Sequence, residues 1–239
     1  MAKERRVALV TGGAKRVGRA IVERLAREGF QVLFTYLSSA REARQLATQI
    51  DGNAIRADLT QPLRAVKIIT GAMGRITGRL DVLVNSASIY EQSSLKQTNL
   101  QQMRRLMAIH YESPLLLAQA LAPQLRKSRG HIVNMVDLLA ERPWPDYLAY
   151  CASKAALWNL TLGLARDLAP QVTVNAIAPG VVEWPQDYPK SEREKYLNRV
   201  PLARAGSAQE VANLVRFLVT EGTYITGQVV RLDGGRSIT

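Results

Sequence analysis

The chain has 239 residues, 47% apolar and 22% charged, a balance that suits one α/β domain with a sizeable core. One cysteine, Cys151, rules out an intrachain disulfide and fits a reducing cytosol, and no apolar stretch is long enough to cross a bilayer. The formal charge is +12, but Arg41, Arg44, Arg104, Arg105 and Lys195 are interleaved with apolar helix positions and accompany no nucleic-acid motif; neither nucleic acid nor membrane is expected as a partner, and the charge suits anionic cofactors and substrates.

The N-terminus, MAKERRVALVTGG, runs from charge straight into a strand and lacks the apolar region of a signal peptide, so a cytoplasmic protein is expected. Residues 7–10 read as a strand that enters Thr11-Gly12-Gly13-Ala14-Lys15-Arg16-Val17-Gly18. Ala20, Ile21, Leu25 and Ala26 then recur at helical spacing. Strand, glycine turn and helix together let the backbone approach a pyrophosphate, with helix amides and a partial positive charge to receive it. A second strand over 31–36 ends at Tyr36 with no acid to hold a ribose 2′-hydroxyl. Ser38, Ser39, Lys15 and Arg16 could instead receive a 2′-phosphate, which favours NADP over NAD; Ser38 and Ser39 could equally cap the next helix, 40–50.

A third strand over 54–58 places Asp58 and Leu59 at the adenine edge. A helix over 62–74 and a fourth strand over 80–84 follow, the latter ending in Asn85-Ser86-Ala87-Ser88, small residues that let a flat ligand lie close to the backbone. A long amphipathic helix is expected over 100–125, interrupted near Pro114. The apolar run 132–136 delivers Asp137 to the cleft. Pro143 and Pro145 then break the chain before a helix over 150–168, on which Tyr150 and Lys154 share a face. A lysine cation near a phenol stabilises phenolate and lowers its pKa, which makes a general acid. A sixth strand over 172–177 ends at Pro179-Gly180. Residues 181–201 read as a loop with a short helix that covers the cleft, before a helix over 208–219 and a last strand over 229–232. The alternation predicts a single-domain, Rossmann-type, doubly wound parallel sheet with helices on both faces, spanning 1–239, with its ligand crevice at the strands' carboxyl ends.

TGGAKRVG (11–18), Asp58-Leu59, NSAS (85–88), YCASK (150–154), NAIAPG (175–180) and YITGQVVRLDGG (224–235) together resemble the short-chain dehydrogenase/reductase family over nearly the whole chain. The resemblance implies that Tyr150 is the catalytic acid, that Lys154 binds the nicotinamide ribose and lowers the tyrosine pKa, and that the chain forms a homo-oligomer, commonly a tetramer; no metal is implied. Two positions depart from the family pattern. Asp137 stands where a serine is usual, and His110 where an asparagine helps relay protons; His110 reads as either a relay or a hydrogen-bonded core histidine. A serine donates to a substrate carbonyl, whereas an ionised aspartate only accepts. Asp137 therefore suits a heterocycle that presents N–H groups and a ring nitrogen to be protonated, as in C=N reduction of a pterin. The NMVD run resembles the pteridine and dihydromonapterin reductases within the family, and by that resemblance Ser88 borders the substrate, Tyr90 stacks on the pterin and Trp184 walls the pocket. The alternatives are a reductase of ketones or acyl thioesters and an NADP-binding sensor without turnover.

Overall fold

The strands are apolar on both of their alternating faces, so each must be covered on two sides, and parallel pairing with helical crossovers meets that demand. The computed structural model describes residues 5–184 and 189–239. In chain order the elements are β1 (Val7–Val10), α1 (Arg16–Arg27), β2 (Gln31–Tyr36), α2 (Ala40–Ile50), β3 (Asn53–Arg56), α3 (Pro62–Ile76), β4 (Val82–Asn85), α4 (Leu100–Met107), α5 (Ser113–Ser128), β5 (His131–Met135), α6 (Leu148–Leu168), β6 (Thr173–Pro179), α7 (Lys190–Leu197), α8 (Ala208–Thr220) and β7 (Val229–Leu232). The strands form one seven-stranded parallel sheet in the order β3-β2-β1-β4-β5-β6-β7. The winding reverses between β1 and β4, which opens a crevice at their carboxyl ends.

The period of two sorts the core. Val7, Leu9, Leu33, Leu83, Ile132 and Val174 face one layer with Leu117, Leu121 and Leu164. Ala8, Val10, Val32, Phe34, Val84 and Val133 face the other with Ile21, Leu25, Val211 and Val215. Each fully buried Leu or Ile here contributes about 1.5–3 kcal/mol. No helix among the described residues is long and apolar enough to cross a membrane.

Several boundaries move relative to the sequence expectation. β3 stops at Arg56, so Asp58 lies in the loop beyond it, where its Oδ1 accepts from the Thr60 amide (2.9 Å) and hydroxyl (2.7 Å). The expected interruption near Pro114 takes the form of a π-helical turn, Ala108–Glu112, between α4 and α5. Proline has no N–H and its ring crowds the carbonyl four residues earlier, that of His110, so the turn widens rather than breaks. In the expected covering segment 181–201, α7 supplies the short helix; residues 185–188 of that segment lie outside the described residues.

Candidate active site

The glycine turn brings backbone to the cleft. Gly12 has φ +67, and a Cβ on it would sit 2.8 Å from Ala87 Cα; a Cβ on Gly18 would sit 2.2 Å from Gly12 O. Thr11 Oγ1 accepts from the Ser86 (3.0 Å) and Ala87 (3.1 Å) amides and locks the exit of β4 against this turn. The first amide bond of α1 runs from Arg19 N to Lys15 O (3.1 Å), and Lys15 makes no side-chain cap. The amides of residues 16–18 thus remain for an anionic ligand, with the positive end of the helix behind them.

A cleft of about 480 Å³ opens over this turn. Gly12, Lys15, Arg16, Val17, Tyr36, Asp58, Leu59, Ser86, Ala87, Pro179 and Gly180, all expected at the cofactor, wall it. Three expected residues do not. Ser38 and Ser39 lie beyond the wall, because the chain turns into α2 straight after Leu37, which takes their place. Ser39 holds the N-cap position of α2 but makes no side-chain cap bond. Asn85 shares a sheet face with Leu83, so its amide is buried behind the cleft and donates to Asn134 Oδ1 (2.8 Å). Lys15 pairs with Glu42 (3.1 Å) and Arg16 with Glu183 (2.5 Å); these side chains reach solvent, so each pair is weak and yields readily to a phosphate.

At the other end of the cleft, β5 hands over to Asp137, which caps a short turn at Leu138–Ala140. Its Oδ1 accepts from the Leu139 amide (2.8 Å), and its Oδ2 accepts from the Tyr150 hydroxyl (2.7 Å). Tyr150 and Lys154 are adjacent on α6 and both buried. Lys154 Nζ donates to Met135 O (2.8 Å) and lies 5.8 Å from the Tyr150 ring centroid. Burial, reinforced by the Asp137 charge, holds the Tyr150 phenol well above its ordinary pKa. This corrects the expectation that Lys154 lowers it: the carboxylate takes the phenolic proton's hydrogen bond, while the ammonium is engaged by a carbonyl. Burial brings Lys154 down to about 8, against the pull of Asp137. Burial also raises Asp137, opposed by the Leu139 amide and the phenol.

His110 is buried in the π-turn. Its Nε2 lies 2.8 Å from Ser88 Oγ and its Nδ1 2.8 Å from Ser153 Oγ. Burial, reinforced by the Lys154 charge, holds its pKa well below the ordinary value. Tyr90, half-exposed, stacks on Tyr147 (4.9 Å between centroids) and meets Tyr150 edge-on (5.0 Å). Trp184 lies not in the main cleft but in a side pocket of about 210 Å³, with Asp137, Tyr90, Leu139, Trp144 and Tyr196. Its ring meets Tyr196 edge-on at 5.5 Å.

Trp144, Tyr147 and Tyr196 were not anticipated from sequence. Tyr147 sits three residues before Tyr150, a helical spacing visible only once α6 is known to begin at Leu148 rather than 150. Tyr196 arrives on α7, in a charged stretch that carries no signal of it. The assembled site offers one phenolic donor beside an acceptor-only carboxylate, at the junction of a long cleft and an aromatic pocket.

A family model described as enoyl-(acyl carrier protein) reductase matches residues 12–237. The chain is 33% identical to pteridine reductase 1 of Leishmania tarentolae, over 98% of this chain and 96% of that protein. It is 34% identical to a 3-oxoacyl-(acyl-carrier-protein) reductase of Staphylococcus aureus, over 95% and 96%. Among solved structures it is similar to an acetoin dehydrogenase from Enterobacter cloacae (TM-score 0.90, 30% identity, 100% of this chain and 97% of that one). It is also similar to a blue fluorescent protein from a metagenomic library in complex with NADPH (TM-score 0.91, 34% identity, 97% of each chain).

Proposed function

Because the chain belongs to the short-chain dehydrogenase/reductase family, and is thereby an oxidoreductase, we propose that it uses NADPH to reduce a C=N bond of a dihydropterin-type heterocycle. A single contact carries this assignment: the 2.7 Å hydrogen bond from the Tyr150 phenol to Asp137 Oδ2 inside the cleft. A ketone oxygen would gather negative charge beside that carboxylate, which repels it. A pterin's amino and ring N–H groups would donate to it. The similarity to a pteridine reductase over almost the whole chain supports the same choice.

NADP(H) is the cofactor. The free amides of residues 16–18 would receive its pyrophosphate beside the bare backbone of Gly12, Asp58 and Leu59 would border the adenine, and Lys15, with no acid at the end of β2, would receive the 2′-phosphate. Lys154 holds the nicotinamide ribose. When bound, the reduced nicotinamide supplies the hydride. Tyr90 holds the flat substrate ring from the side opposite the cofactor, and Tyr147 backs it. Substrate N–H groups that donate to Asp137 spread its charge and release the phenol. Its proton then goes to the ring nitrogen beside the carbon being reduced, which leaves a phenolate in the cleft.

Reduction of a ketone or 3-oxoacyl thioester is the second reading, favoured by the similarity to the Staphylococcus aureus reductase and the acetoin dehydrogenase. Purified protein with NADPH is assayed against a dihydropterin, dihydrofolate, acetoacetyl thioester and 2,3-butanedione. The expected outcome is higher kcat/KM for the dihydropterin by at least about tenfold; a preference for either carbonyl compound sinks the pterin assignment. Asp137→Ser lowers dihydropterin turnover by about 100-fold, the cost of one lost transition-state contact, while the NADPH Kd moves less than threefold. Equal loss of both makes Asp137 only the cap of its turn.

A further inference from the structure

His110 occupies the π-turn with both ring nitrogens committed, and the proton count around it is determined. Ser153 Oγ lies 2.7 Å from the Tyr150 carbonyl and 2.8 Å from His110 Nδ1. A carbonyl cannot donate, so the single Ser153 proton goes to it, and Ser153 accepts from His110 Nδ1–H. The opposite nitrogen, Nε2, then carries the lone pair. It receives the Ile89 amide (3.4 Å) and, at 2.8 Å, the Ser88 hydroxyl proton. Burial keeps the ring neutral, so both assignments persist through the neutral range.

The consequence falls on Ser88, which is exposed and walls the cleft. Ser88 also interacts with the Tyr150 hydroxyl, but the Nε2 lone pair at 2.8 Å takes its proton, so it shows the cleft oxygen lone pairs. We infer that His110 is a positioning residue that converts Ser88 into a hydrogen-bond acceptor, so that Ser88 and Asp137 together select a substrate edge bearing N–H donors. Ser88 and Asp137 are then both acceptors in a cleft where Tyr150 is the donor. The network ends at Ser153, which is fully buried, so it orients a hydroxyl rather than conducting protons to solvent. This deepens the pterin assignment and rests on it for the identity of the donor edge, but the orientation of Ser88 stands or falls independently.

Two measurements on the NADPH-bound enzyme test it. The sequence holds two histidines, so ¹⁵N-imidazole NMR with a His131→Gln variant for assignment isolates the His110 ring. The expected signal is a neutral ring protonated on Nδ1 between pH 6 and 8; a ring protonated on Nε2 overturns the inference whatever the enzyme reduces. In the second measurement, His110→Gln puts an amide NH₂ near the place of Nε2, donates to Ser88 and frees its proton toward the cleft. The ratio of kcat/KM for dihydropterin to that for 2,3-butanedione should fall by about tenfold or more, the scale of a buried donor–acceptor mismatch, with the NADPH Kd unchanged. Ser88→Ala, which leaves the buried network's fold intact, should lower dihydropterin kcat/KM by about tenfold and spare the diketone. An unchanged ratio in both variants, or equal loss of both substrates, overturns the inference. An Nδ1-protonated ring in an enzyme that turns over no pterin instead overturns the substrate assignment and leaves the orientation of Ser88 in place.

Discussion

The cofactor half of the cleft is built from backbone. Gly12, Gly18, Ser86 and Ala87 come from two adjacent strand exits, and their shape is set by close approach, such as the 2.2 Å that a Cβ on Gly18 would leave to Gly12 O. The substrate half is built from side chains delivered by several distant segments: Tyr90 after β4, Asp137 after β5, Tyr147 and Tyr150 from the start of α6, Trp184 and Tyr196 from the segment after β6. Backbone amides recognise any phosphate at a helix start, whereas carboxylate and aromatic side chains distinguish one substrate from another. Damage to the first half should therefore appear as lost cofactor affinity, and damage to the second as lost turnover at unchanged cofactor affinity.

The largest effect is expected at Tyr150. Tyr150→Phe removes the phenolic donor bonded to Asp137 and should lower kcat by about 10²–10⁴-fold, the usual worth of a general acid. Fluorescence titration should show NADPH binding within threefold of wild type; a matching loss of affinity would mean that the two halves are not separable. Gly18→Ala is the counterpart in the backbone half. Its Cβ forces the turn open, and NADPH Kd should rise by about tenfold or more, the equivalent of about 1–3 kcal/mol of backbone strain, with kcat at saturating NADPH little changed.

Lys154 joins the two halves and should show in the pH profile. Its pKa of about 8 in the free enzyme, below the ordinary 10.5, means that the ammonium is lost as pH rises through about 8. The value of kcat/KM should therefore fall above that pH, and Lys154→Arg, which stays charged, should remove the basic limb. A limb that survives in the arginine variant belongs to another group. For stability the sign is opposite. The unfolded chain holds this proton more tightly than the folded one between about pH 8 and 10.5, so unfolding free energy should rise with pH across that window. The smallest effect is expected at Lys15, whose side chain is half-exposed. Lys15→Ala should weaken NADPH by only about three- to tenfold, less at high salt, and leave NADH unchanged. A variant that loses both cofactors equally would remove the 2′-phosphate from its list of partners.

Much of the frame was legible in sequence, because its signals are local. β1, β2, α2 and β7 begin and end where apolar periodicity and turn residues place them. The glycine turn, Asp58-Leu59 and the Tyr150–Lys154 spacing likewise fall on the cleft. Less legible were side-chain direction and electrostatic environment. Asn85 turns behind the sheet, Ser38 and Ser39 fall outside the wall, and the phenol is held by Asp137 rather than eased by Lys154. Two of these depend on neighbours far away in the chain: Asn134 for Asn85, and burial beside Tyr90 for Tyr150.

The amino-acid sequence by itself determined the doubly wound sheet, the phosphate-receiving turn and the presence of an acid where the family carries a hydroxyl. Hydrophobic period, glycine spacing and residue type are properties of short stretches, and backbone sterics read them directly. Only the tertiary structure decided which way hydrogen bonds run among Asp137, Tyr150, Ser88, His110 and Ser153, and which aromatic rings close the side pocket. Donor and acceptor roles are settled by counting protons among groups brought together from β4, the π-turn, β5 and α6, and no single stretch of chain contains that count.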